Sequence, residues 1–169
     1  MTVTQLNQDG RETFMNAVGF AFENSPWIAE RAWEERPFES VGDLHARMVA
    51  IVEQAPLEKR IELIAAHPDL AGRVAREGRL TPASQNEQSA AGLDRLSNEE
   101  RERFERLNEA YRARFSFPFV ICARENTTES ILAALEQRSR NGRDTEVATA
   151  LAEIAKIARL RLEDALENE

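Results

Sequence analysis

Apolar residues recur at three- and four-residue intervals along most of this chain, the period of helices with one buried face. Phe14, Val18 and Phe22 form one such series, which Asp9 would cap. Ser25-Pro26 puts a capping residue ahead of a proline at the first helical position. Ser40 with Asp43 opens a helix whose apolar positions are Val41, Leu44, Met48, Ile51 and Ala55. Pro56 begins another, through Ile61 and Ile64. It should stop at His67, because Pro68 disfavours helix for the residue before it. A short helical stretch follows from Asp69 towards Arg76, and Thr81-Pro82 starts a helix through Leu93. Ser97 and Glu100 make a capping box for a long helix with Phe104, Leu107 and Tyr111 on one side. Asn126 with Glu129 caps a further helix and Gly142 stops it. The last helix runs from about Thr145 to Leu166.

One stretch breaks the period. Residues 115–122, with Phe115, Phe117, Phe119, Val120 and Ile121 around Pro118, are aromatic and β-branched. A lone strand has no partner, so the segment reads as buried and extended. The fold class is all-α, a helical bundle with one short extended segment near 115–122. The 169 residues fit a single domain, 1–169, able to bury a core without staples.

Charge narrows the function. A net charge of −8 argues against nucleic acid and against an anionic membrane surface. No basic-then-apolar leader opens the chain, no apolar run approaches spanning length, and the last residues are not a peroxisomal address. The single cysteine, Cys122, cannot form an intrachain disulfide, which fits a reducing cytoplasm. It lies among Val120, Ile121 and Ala123 and reads as a small buried hydrophobe rather than a nucleophile. The arginines between Arg101 and Arg114 alternate with glutamates, as on an ordinary salt-laced helix surface. There is no Gly-rich phosphate loop, no HExxH and no Cys/His metal spacing, and a zinc or iron site would have to be assembled from His67, His45 and acids far apart in sequence.

Three residues could carry chemistry. His67 stands at a helix break whose exit is fixed by Pro68, and imidazole is the usual proton carrier near neutral pH. The bland alternative is a surface histidine at a helix end. On the following helix, Ser84, Glu87, Gln88 and Ala91 share a face, either a ligand wall or a solvated side. Arg161 falls on the inward stripe of the last helix, formed by Val147, Leu151, Ile154, Ala158 and Ala165. It lies about 20° from Ile154 at roughly 100° per residue, whereas Arg159 lies well off the stripe. A buried arginine must snorkel, bind an anionic ligand, or pair with an acid such as Glu87 or Asp69. His45, the other histidine, sits at the edge of its helix's apolar stripe and reads as half exposed.

Four motifs then fall into order. They are His67-Pro68-Asp69-Leu70; Ser84-x-x-Glu87-Gln88 with Ala91-Gly92-Leu93; Phe117-Pro118-Phe119-Val120-Ile121-Cys122-Ala123-Arg124; and Lys156-Ile157-Ala158-Arg159-Leu160-Arg161-Leu162. Together they resemble the 2-oxo-4-hydroxy-4-carboxy-5-ureidoimidazoline (OHCU) decarboxylase family of urate degradation, over nearly the whole chain. The resemblance implies a cofactor-free carboxy-lyase that converts OHCU to (S)-allantoin, all-helical, cytoplasmic and homodimeric. It implies His67 as the catalytic acid, with Glu87 beside it as a second catalytic group that binds the hydroxylated ring. It further implies a substrate lining of Pro68, of Ser84, Gln85, Asn86, Glu87 and Gln88, and of Phe119, Val120, Ile121, Cys122 and Ala123. Arg161 would hold an anionic or carbonyl group of the substrate, and its replacement by lysine would then lower affinity with little change in melting temperature. Two other classes stay open on the residues alone. One is a metal-dependent hydrolase of a cyclic amide using His67, His45 and Asp69. The other is a non-catalytic metabolite-binding module.

Overall fold

The computed structural model describes residues 1–167; Asn168 and Glu169 lie outside the described residues. Ten α-helices and a single 3₁₀ turn are formed among them, with no strand. The expected all-α class therefore holds. The chain divides into two compact units.

The first unit comprises Met1–Ala66 and the chain from Ala155 on. It contains α1 (Val3–Gln8), α2 (Arg11–Val18), α3 (Trp27–Trp33), α4 (Val41–Gln54) and α5 (Leu57–Ala65). Helix α2 packs on α3, α3 on α4, and α4 on α5. Ser40 caps α4 by accepting from the Asp43 N–H, as the Ser40/Asp43 spacing predicts. Helix α1 was not legible in the pattern; Thr2 and Gln5 cap it reciprocally. Three expectations shift here. Gly10, not Asp9, immediately precedes α2, which has no side-chain cap. Helix α2 ends at Val18 rather than running through Phe22. Gly19 closes it so tightly that a Cβ there would lie 2.5 Å from the Met15 carbonyl oxygen. The chain then turns, with Asn24 at φ 45°, and buries Phe22 from outside any helix. Pro26, not Ser25, immediately precedes α3. Ser25 instead donates its hydroxyl to the Glu23 carbonyl.

The second unit, His67–Ile154, holds α6 (Arg73–Arg76), α7 (Pro82–Ala90), α8 (Asn98–Phe115), the 3₁₀ turn Ala123–Glu125, and α9 (Thr128–Arg138). The last helix, α10 (Arg143–Ala165), starts in this unit and ends in the first. The Ser97–Glu100 capping box opens α8 as predicted. Thr127 rather than Asn126 caps α9. Gly142 stands at the start of α10, where its carbonyl accepts the Glu146 N–H, and not at the end of α9.

Phe115 is a further correction. It belongs to α8, because its ring sits one turn from Tyr111 with centroids 4.5 Å apart and extends the helix's buried face. Ser116 ends the helix at φ 63°, and the non-helical segment is 117–122. Tyr111, Phe115, Phe117 and Phe119 form one fully buried aromatic cluster. Replacing the ring that meets both Tyr111 and Phe115, Phe117→Ala, should leave a void in this cluster. We expect a loss of about 3–5 kcal/mol in urea-induced unfolding.

Candidate functional site

The second unit brings three of the predicted pieces together. Helix α5 stops just short of His67, as Pro68 requires, and His67 is 7% exposed. The loop after it is held at three points. Asn108 Nδ2 donates to the Leu70 carbonyl at 2.9 Å, and Arg112 pairs with Asp69 at 3.1 Å. The Ala71 N–H donates to Gln88 Oε1 at 3.0 Å. Ala71 takes φ 51°, a left-handed conformation unfavourable for alanine, and holds it through these contacts. Gly72 is demanded by close approach, since a Cβ there would meet Asp69 Cβ at 2.7 Å. The loop bearing His67 is thus bonded directly to the helix bearing Glu87.

That helix, α7, begins with Thr81 accepting the Ser84 N–H and Pro82 in its first turn. It ends in a Schellman motif. Gly92, at φ 83°, donates to the Ser89 carbonyl, and Leu93 donates to that of Gln88. On its predicted face Ser84 and Gln88 are buried and Glu87 is part-buried. Gln85 and Asn86 are exposed. Gln85 and Gln88 border a cavity of about 310 Å³, together with Arg76 and Arg101; His67 and Glu87 are not among its walls.

The third piece is the extended segment. Phe119, Val120, Ile121, Cys122 and Ala123 are all buried, and the 3₁₀ turn packs on α7. Thr128 Oγ1 donates to the Ala91 carbonyl at 3.1 Å, locking the start of α9 to the end of α7. Burial pushes the Cys122 thiol up from its ordinary range, and the charges of Glu125, Glu153 and Glu87 push it the same way. A neutral, buried thiol fits the reading of Cys122 as a small hydrophobe.

The sequence pattern missed what holds the segment. Arg138 Nη1 donates to the Val120 carbonyl at 2.8 Å, and Arg138 Nε donates to Glu146 Oε1 at 2.9 Å. The Cys122 N–H donates to Glu153 Oε1 at 3.3 Å. Glu146 and Glu153 would have been detectable only as acids beside the apolar stripe of α10.

Arg161 belongs to the first unit and is buried, as its place on the stripe predicts; Arg159 is exposed and pairs with Glu163. The acid beside Arg161 is neither of those expected. Asp69 pairs with Arg112. Arg161 Nη2 lies 2.7 Å from Glu23 Oε2, and Nη1 donates to the Phe20 carbonyl at 3.0 Å. Glu23 is 2% exposed and stands in the turn after α2, where no helical wheel would place it. An arginine so bound also supports the fold. The expectation that replacing it leaves the melting temperature nearly unchanged therefore does not stand.

His45, half-buried as expected, bonds through Nε2 to the Ala155 carbonyl at 2.7 Å, which requires a proton on that nitrogen. Among the described residues no three His, Cys, Asp or Glu side chains gather into a metal-binding group.

A family profile for OHCU decarboxylase matches residues 7–163. A "2-oxo-4-hydroxy-4-carboxy-5-ureidoimidazoline decarboxylase" of Haloferax volcanii is 44% identical over 169 residues, covering 100% of this chain and 98% of the relative. The Xenopus laevis protein of the same name is 38% identical, covering 100% and 97%. Two crystal structures are similar. One, of (S)-allantoin synthase, has a TM-score of 0.79 at 30% identity and covers 98% of this chain and 54% of its own. The other, of OHCU decarboxylase in the presence of (S)-allantoin, has a TM-score of 0.71 at 25% identity and covers 92% and 97%. With the profile spanning nearly the whole sequence and full-length relatives at this identity, the chain belongs to the OHCU decarboxylase family.

Proposed function

We infer that this protein removes CO₂ from OHCU and releases (S)-allantoin, as a cofactor-independent carboxy-lyase of urate degradation. Family membership supports the reaction. One structural observation carries the site: a buried histidine at a helix break, on a loop hydrogen-bonded to the helix that presents Glu87.

The chemistry suits such a site. Breaking the carbon–carboxylate bond leaves an electron pair that the imidazoline ring can delocalise. A proton must then reach the ring from one side for a single enantiomer to form. The ring is its own electron sink, so the protein has only to orient, desolvate and protonate. In this reading His67 gives the proton and Glu87 binds the hydroxylated ring. Pro68, 84–88 and 119–123 line the substrate, and Arg161 offers its planar fork to a carbonyl or anionic group. Together 1–169 act as one catalytic domain. From the resemblance we also take a cytoplasmic homodimer. Among the described residues no helix is long and apolar enough to cross a membrane.

Freshly generated OHCU should decay quickly to one allantoin enantiomer when the protein is added, followed by circular dichroism. Turnover should survive exhaustive chelation; loss restored by a divalent metal would favour the hydrolase instead. His67→Asn cannot carry a proton at neutral pH and should lose about 10²- to 10⁴-fold in rate while staying folded. Near-full turnover would remove His67 from the mechanism.

The Arg161–Glu23 pair sets a second test. Arg161→Lys should raise KM, because lysine cannot reproduce a bidentate fork. It should also lower stability, by up to about 3–5 kcal/mol, because it disturbs a buried ion pair. Glu23→Gln should move both quantities in the same direction, since Glu23 orients the guanidinium. Arg159→Lys should move neither. Wild-type kinetics in Arg161→Lys would leave Arg161 with a structural role alone.

A further inference from the structure

We propose that Arg138 and Glu153 are positioning residues, which together aim the backbone N–H and C=O of Ile121 at the substrate. The inference rests on the functional reading above, in which 119–123 lines the substrate.

The argument starts from the peptide plane. Residues 117–122 belong to no helix or sheet, so side chains must hold this backbone in place. Arg138 takes the Val120 carbonyl and Glu153 takes the Cys122 N–H. In a trans peptide the carbonyl of one residue and the N–H of the next point in opposite directions. Fixing the Val120 carbonyl towards Arg138 therefore turns the Ile121 N–H away from Arg138. Fixing the Cys122 N–H towards Glu153 likewise turns the Ile121 carbonyl away from Glu153. Ile121 is left with one donor and one acceptor, neither bonded among the described residues. A ureido or cyclic amide group also carries one N–H and one C=O side by side. A paired main-chain donor and acceptor is its natural complement.

Arg138 is held as firmly as this task requires. Its guanidinium lies 4.3 Å from the Phe119 ring centroid, so it touches two successive residues of the segment. Glu146 is fully buried and anchors Arg138 Nε. That carboxylate also accepts the Tyr111 hydroxyl on Oε1 at 2.6 Å and Asn141 Nδ2 on Oε2 at 2.9 Å. The Tyr111 hydroxyl is pushed well above its ordinary range, chiefly by burial and then by Glu146, and so stays a donor. Helices α8, α9 and α10 each supply one member of this network. Stability alone does not account for it. A buried ion pair rarely outperforms well-packed apolar residues, and Arg138 Nη2 is buried without a partner. What the network provides is the orientation of one peptide plane.

The test compares Arg138→Lys with a core variant of the same unit, Ile131→Ala, which is fully buried in α9. Lysine is unable to serve Glu146 and Val120 in the same way at once. Both variants are assayed at a temperature where far-UV circular dichroism shows them folded. Arg138→Lys should raise KM for OHCU and weaken (S)-allantoin binding by about tenfold or more, with kcat much less affected. Ile131→Ala should lower the melting temperature and leave KM unchanged. The Ile121 amide should gain exchange protection when (S)-allantoin binds the wild type, and lose that gain in Arg138→Lys. If Arg138→Lys fails to fold, Glu153→Ala should show the same KM rise. Glu153→Gln, which keeps an acceptor oxygen, should restore KM. Wild-type turnover with an unchanged KM in Arg138→Lys, or in Glu153→Ala, would overturn the proposal alone. Absence of OHCU turnover by the wild type would overturn the functional reading and this inference with it.

Discussion

A carboxylate with no exposure to water, that of Glu146, is the point on which the second unit turns. An unpaired charge in that position would cost several kcal/mol, so its surroundings are bound to satisfy it. They do so by converging. Tyr111 reaches it from α8, Arg138 from α9 and Asn141 from the turn before α10. The helices are thereby fixed against each other by directional bonds as well as by packing. The aromatic cluster of Tyr111, Phe115, Phe117 and Phe119 closes over the same place. A segment without helix or sheet can then be buried here, because its polar backbone has been given partners.

Local signals marked most of the helices, though Ser25 and Asn126 each stand one residue before the position that precedes the helix, and Gly142 opens α10 where it was expected to stop α9. Ser40 and Ser97 each cap a helix as their spacing predicts, since a cap bond joins residues three apart, and Thr81 caps α7 where Pro82 marks its start. Pro68 ends α5 through a steric clash that acts on its neighbour alone. Two larger misreadings fell where closure depends on packing and not on the cap. Phe22 keeps the helical period yet lies beyond the helix, because Gly19 and Asn24 turn the chain. Phe115 looked extended by composition, but its contact with Tyr111 extends α8.

The candidate site was legible to a different depth. His67 stood out by rarity, and Arg161 by sitting on an apolar stripe. The partners of these residues could not be read. Glu23 and Arg161 are far apart in sequence, and Glu23 occupies a turn with no periodicity to give it a direction. Arg138 looked like one more arginine in a chain rich in them, with charged residues at 31%. Only the tertiary structure distinguishes the arginine that is buried from its solvated neighbours.

Each unit contains a buried arginine–glutamate pair, Arg161 with Glu23 and Arg138 with Glu146. In each, the arginine also donates to the carbonyl of a non-helical residue, Phe20 or Val120. This shared construction has a physical reason. A guanidinium has five donors in a rigid plane, so one side chain can neutralise a carboxylate and hold a peptide carbonyl at a fixed angle. Lysine, with a rotating ammonium, holds neither direction. On the reading proposed above, in which the substrate's own ring is the electron sink, the rate comes from placement and desolvation. Such placement needs rigid backbone outside helices, where N–H and C=O groups are still available to a ligand. The buried pairs reconcile those two demands. They leave the irregular segments irregular, and they remove the freedom that irregular segments ordinarily keep.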